Sequence, residues 1–171
     1  YLRCDDSFLS MFKTVFSVLV KDAWQACFKH YLELFFSKNL LAMLREIGFA
    51  NAESERKFVK QLSLDKFEDF FCFNTIHEIS EYIERELRYI NKFKNEALFT
   101  NATFSPQHIW DFYELSAAIV TTIKKELTDL SDLNFLLLID EFENLPTELQ
   151  EMFNNIIKFC KPGISLRIGR R

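Results

Sequence analysis

The apolar run Phe135 to Ile139, preceded by Leu133 and Asn134 and followed at once by Asp140 and Glu141, constrains this chain more than any other stretch. A short unbroken apolar run that stops at charged residues fits a strand of a parallel sheet, covered on both faces. We expect that strand over 134–139. A second strand is expected over Ile164 to Ile168, and one helix lies between them. Pro146-Thr147-Glu148 begins that helix, and Leu149, Met152, Phe153, Ile156, Ile157 and Cys160 form its apolar face. Lys161-Pro162-Gly163 ends it, because Pro and Gly stop helices and turn chains. This is a βαβ unit, whose strands should be parallel and whose crossover should be right-handed. In open α/β sheets, ligands bind beyond the carboxyl ends of the strands. Asp140 and Glu141 fall at that end.

Leu136, Leu137, Leu138 and Ile139 followed by Asp140-Glu141 resemble the Walker B motif of P-loop ATPases of the ASCE type, which includes AAA+ proteins. The resemblance implies that Asp140 holds Mg²⁺, commonly through water, and that Glu141 polarises the attacking water. The chemistry is consistent with those roles. Mg²⁺ takes hard oxygen ligands and keeps most of its waters, and phosphoryl transfer needs a positioned water and charge neutralisation. The continuation DEFENL, LQEMFNNIIKF and ISLRIGRR is similar to a bacterial group with origin-recognition-like or STAND-like ATPase cores. That similarity is specific over 135–171 and vague before it. It implies a sensor arginine at the end of the second strand, matched by Arg171, or by Arg170 if the register slips by one. Such an arginine would contact a γ-phosphate bidentately. An exposed basic chain end is the plain alternative.

A phosphate-cradling loop needs glycines, so that backbone N–H groups can converge on the phosphates. The chain has three, Gly48, Gly163 and Gly169, and no GxxxxGK(S/T). We therefore expect an internal fragment of a larger ATPase, running from after Walker A to sensor 1 and inactive by itself. The fold class expected is α/β: a partial P-loop NTPase parallel sheet of three strands, with a large helical region between the first and second strands. Residues 1–6 would hold the first strand, 8–127 the helical region, and 134–171 the Walker B strand, helix and sensor strand.

The 171 residues suffice for one domain with a real core. Hydrophobic residues make up 49% and charged residues 27%, as in an ordinary globular protein, and 20 Phe argue for thick helix packing. The net charge of −4 argues against a broad nucleic-acid surface. Cys4, Cys27, Cys72 and Cys160 show no metal-ligand or CxxC spacing, which favours a reduced, cytoplasmic setting. The sequon Asn101-Ala102-Thr103 is discounted for want of a signal peptide.

Along the chain, Tyr1 to Cys4 fits a short strand, and Asp5-Asp6-Ser7 suits turn and N-cap chemistry better than metal binding. Phe8 to Ile47 reads as helix, broken near Ser37-Lys38-Asn39 and stopped by Gly48. Lys13, Lys21, Asp22 and Lys29 interrupt its apolar stripe, so it is no membrane span. Asn51 or Ser54 caps the next helix. The aromatic stretch Phe67, Phe70, Phe71, Phe73 suits a turn pinned into the core better than an exposed patch. Thr75-Ile76-His77-Glu78 is a capping box for a helix to about Asn95, with His77 on the surface and its charges forming a solvated face. Ser105-Pro106 would start a helix to Leu127 in which His108 has no catalytic partner in sight, and 128–132 turn into the Walker B strand.

Two functions follow. The first is the ATP- and Mg²⁺-binding, hydrolysing core segment of a larger P-loop ATPase. The alternative is a helical protein-interaction module carrying a degenerate, non-hydrolysing ATPase remnant. The helical region is the place for protein partners or self-association. DNA binding by the parent protein rests on fold analogy alone.

Overall fold

The computed structural model describes residues 2–3, 21–66, 73–97, 104–106, 108–158 and 161–169. The expected turn at Asp5 and Asp6 and the expected sensor at Arg171 or Arg170 lie outside the described residues, as do Phe67, Phe70 and Phe71.

Helix α1, Lys21–Ile47, runs unbroken through the expected break at Ser37-Lys38-Asn39. Of its polar residues there, Ser37 is buried, and Asn39 Nδ2 donates back to Phe35 O at 2.7 Å. Trp24, Phe28, Tyr31, Leu32, Leu34, Leu41 and Leu44 are all buried, which requires neighbours on several sides of the helix. Gly48, at φ 78°, ends it, its N–H donating to Leu44 O at 2.9 Å.

Helix α2, Ala52–Lys66, is capped by Asn51, whose Oδ1 accepts from Ser54 N–H at 2.9 Å. Helix α3, Ile76–Ala97, is capped by Thr75, whose Oγ1 accepts from Glu78 N–H at 3.2 Å. Glu78 reaches back one residue further than a regular capping box, to Asn74 N–H at 2.6 Å. Glu55 of α2 accepts from Ile76 N–H at 3.0 Å, tying the two helices together. Ile76, Ile79, Ile83 and Ile90 are buried as the periodicity requires. Glu86 is buried too, against the expectation of a fully solvated charged face, and burial raises its pKa. Phe73 packs on Tyr82 with ring centroids 5.9 Å apart.

Helix α4 is Leu115–Glu126, not a helix from Pro106. The preceding residues are claimed by tertiary contacts instead. Trp110 is buried, with its ring N–H on Tyr82 Oη at 3.3 Å and its backbone N–H on His30 Nδ1 at 3.0 Å. Tyr113 takes a positive φ of 68°, which a helix cannot contain. Helix α1 packs on α3 and α4, and α2 packs on α4.

A 3₁₀ turn at Thr128–Leu130 leads into strand β2, Phe135–Asp140, and helix α5, Thr147–Lys158, connects it to strand β3, Ile164–Ile168. With strand β1 as Leu2–Arg3, the molecule is mixed and mostly helical, with a small parallel sheet. Its body is the β2–β3 pair, in register from Phe135↔Ile164 to Ile139↔Ile168. Leu2–Arg3 lie parallel beside β2 for two residues, Leu2↔Ile139 and Arg3↔Asp140. The sheet is not covered on both faces as expected. Phe135, Leu137 and Ile139 point into the core, whereas Leu136 and Leu138 are 44% and 39% exposed, beside exposed Ser165 and Arg167 of β3. Among the described residues no helix is long and apolar enough to cross a membrane.

Candidate functional site

At the carboxyl end of β2 the chain reverses within one residue. Asp140 ends the strand, half-buried, and its Oδ1 accepts from Glu141 N–H at 3.0 Å. Glu141 takes the left-handed conformation, φ 56° and ψ 35°. A non-glycine residue there costs of order 1–3 kcal/mol and persists only when its surroundings enforce it. The enforcement is visible. Phe142 opens a 3₁₀ turn, Phe142–Asn144, and is buried against Phe153 of α5 at 6.0 Å. Leu145 is buried behind it. Glu141 is itself only 9% exposed, and Asn144 Nδ2 lies 3.5 Å from its Oε2.

Gly169 follows β3 and donates its N–H to Ile139 O at 2.7 Å, which brings it alongside Asp140. A Cβ at Gly169 would stand 3.0 Å from Asp140 Oδ1, so the missing side chain leaves room for the carboxylate. The structure therefore brings Asp140, Glu141 and Gly169 together at one end of the sheet. The chain continues from Gly169 into Arg170 and Arg171.

Two adjacent carboxylates fit Mg²⁺, which takes one or two protein oxygens and completes its shell with water and substrate phosphates. They do not make a closed cage: among the described residues no group of three or more His, Cys, Asp and Glu comes together. Cys27 is a buried free thiol, pushed up to about 12 by burial.

A second polar centre lies in the helical region, where no sequence motif announces it. Glu33 of α1 is fully buried and accepts from the N-terminus of α4: from Tyr113 N–H at 2.8 Å, from Ser116 N–H, and from Ser116 Oγ at 3.1 Å. It caps that helix from another one. Burial pushes its pKa up to about 7, against the pull of these hydrogen bonds. One turn away, His30 is also fully buried and lowered to about 4, by desolvation and then by His108. The only signal for Glu33 in the sequence is an acid set among Tyr31, Leu32, Leu34 and Phe35.

Comparison with known families now gives this geometry a context. The family model described as ORC-CDC6-like matches residues 1–171, and the chain belongs to that family. No curated protein and no solved structure is significantly similar to it. Membership agrees with the origin-recognition-like resemblance of the segment from Phe135 onward and marks an ATPase-related region.

Proposed function

We propose that this ORC-CDC6-like chain carries the Walker B half of an ATP site in a larger P-loop ATPase. The observation that carries the reading is the strand end: Asp140 closes a parallel strand, Gly169 leaves its carboxylate room, and Glu141 is held in a left-handed conformation directly after it. Asp140 would hold Mg²⁺ through water, and Glu141 would align the attacking water. Bound Mg²⁺ supplies charge neutralisation at the phosphates. Arg171, or Arg170, would sense the γ-phosphate. The phosphate-cradling loop would come from a segment outside these residues, its strand joining β3 on the side away from β2 and so extending a P-loop sheet in which β1, β2 and β3 are three strands. The setting is cytoplasmic.

The coding sequence upstream of Tyr1 gives the first test: a hydrophobic strand followed by GxxxxGK(S/T) is expected there. If it is absent, or its Lys is lost, the ATPase reading fails and the helical region becomes the functional part, as a protein-binding module. In the full-length protein, Glu141→Gln is expected to retain bound ATP while hydrolysis stops. Unchanged turnover in that variant sinks the assignment.

A further inference from the structure

Away from the Asp140–Glu141 end, a groove of about 580 Å³ lies between α1, α5 and the 111–113 segment. It continues across Asp111, Phe112, Tyr113 and Lys161 onto the Ala117-Ala118-Thr121 face of α4. The apolar part of its lining comes from Phe112, Tyr113, Met152 and Ile156, with small residues at Ala117 and Ala118. Its lining holds four acids, Asp111, Glu114, Glu148 and Glu151, against two lysines. One lysine is already neutralised: Lys29 Nζ is 3.2 Å from Asp111 Oδ1. Glu148 and Glu151 stand three residues apart on one face of α5, both exposed, and neither is in an ion pair among the described residues. The groove thus keeps an excess of negative charge beside apolar side chains.

We propose that this groove docks a basic, amphipathic segment of a protein partner. Apolar side chains of that segment sit on Phe112, Met152 and Ile156, and an arginine or lysine reaches Glu148 and Glu151. The charge selects this occupant. Phosphate backbones are repelled by the acidic lining, and two copies of a chain with net charge −4 repel each other overall, which disfavours a second copy. The groove is bordered by three helices, α1, α4 and α5, and by the 111–113 loop, a spread that suits an extended peptide. This proposal stands apart from the ATP-site reading, because it uses neither Asp140 nor Glu141.

The test uses a fluorescein-labelled amphipathic peptide of alternating Leu and Arg blocks, with a Leu and Glu peptide of equal length as control, titrated by anisotropy. Glu148→Lys with Glu151→Lys should weaken the Arg peptide by about tenfold or more, as loss of a central charge contact does. Ala118→Arg, which fills the groove with a like charge, should do the same. Glu46→Lys with Glu81→Lys makes the same change in net charge at exposed positions off the groove and should alter binding by about twofold at most. Amide shifts on titration should fall on 111–114 and 148–156. Equal weakening by the off-groove pair, equal binding of the Glu peptide, or no effect of the groove variants overturns the proposal. So does concentration-dependent dimerisation that the groove variants abolish, which would make a second copy the occupant.

Discussion

Glu33 and His30 lie one turn apart on α1, and their coupling to folding has opposite sign. Glu33 is raised from 4.5 to about 7 by burial, opposed by its bonds to Ser116 and Tyr113. The unfolded chain therefore releases this proton first, and stability that is full below pH 4.5 is lost as the pH rises to about 7. His30 is lowered from 6.5 to about 4. Its contribution is full above pH 6.5 and is lost as the pH falls toward 4. Each slope approaches about 1.4 kcal/mol per pH unit. Between pH 4.5 and 6.5 the two nearly cancel, so the unmodified protein should show little dependence on pH from this pair. Glu33→Gln removes one side. The amide presents a donor where Tyr113 and Ser116 already donate, a penalty of about 1–3 kcal/mol that does not vary with pH. On top of it, stability relative to the unmodified protein should rise by about 2 kcal/mol from pH 4.5 to 6.5. His30→Asn, which keeps an acceptor for Trp110 N–H, should show the reverse, a relative fall of about 2 kcal/mol over the same range. Urea unfolding followed by Trp24 and Trp110 fluorescence across that range measures both. Groups common to all three proteins, such as Glu84 and Glu86, drop out of the differences. Flat difference curves, or two curves of the same sign, would refute the reasoning.

Other consequences are sharper in space than in pH. Gly48 and Gly163 share positive φ values of 78° and 84°, but a Cβ at Gly48 meets nothing within 4 Å, whereas one at Gly163 meets Val120 Cγ1 at 3.1 Å and Lys124 Cε at 2.9 Å. Gly48→Ala should cost about 1–2 kcal/mol of backbone strain, and Gly163→Ala that amount plus about 1 kcal/mol or more of overpacking against buried Val120. Equal denaturation midpoints for the two would contradict this. Leu136→Lys should change stability by only about 0.5 kcal/mol or less, while Leu137→Ala, on the core face, should cost about 2–5 kcal/mol. A large cost at Leu136 would mean that its face of the sheet is covered.

What the sequence made legible was written in local chemistry. Asn51, Thr75, Gly48 and the Lys161-Pro162-Gly163 turn each act on backbone within four residues, and each does what its residue type predicts. The strand end was legible for the same reason: an apolar run stops where two acids begin. The failures have a different cause. Ser37 and Asn39 looked like a break because their type favours one, but a buried helix tolerates them once neighbours fix it. Ser105-Pro106 looked like a helix start, yet Ser105 gives its N–H to Tyr89 Oη, and the chain that follows gives those of Trp110 and Tyr113 to His30 and Glu33, about eighty residues away. No local pattern encodes a cap supplied by another helix. The covered-on-both-faces expectation failed because an apolar run states what a strand is able to bury, not what is present to bury it.

Those distant contacts also explain how the helical region bears on the strand end. From α1, Glu33 fixes the N-terminus of α4, and α4 runs through the 3₁₀ turn directly into β2. Also from α1, Phe28 packs edge-on against Phe153 at 5.8 Å, and Phe153 in turn holds Phe142, the residue after Glu141. At the base of β3, Gly163 sits tight against Val120 and Lys124 of α4. The strand carrying Asp140 is therefore gripped before its start and just beyond its end by one helix. Such packing resists small displacements, since interiors are close-packed and stiff. It does not amount to a signalling route, which would need an element with two discrete arrangements. What it provides is a shared support: α1 touches the helix before the strand through Glu33 and the helix after it through Phe28, and Phe153 of that second helix packs on Phe142, the residue next to Glu141.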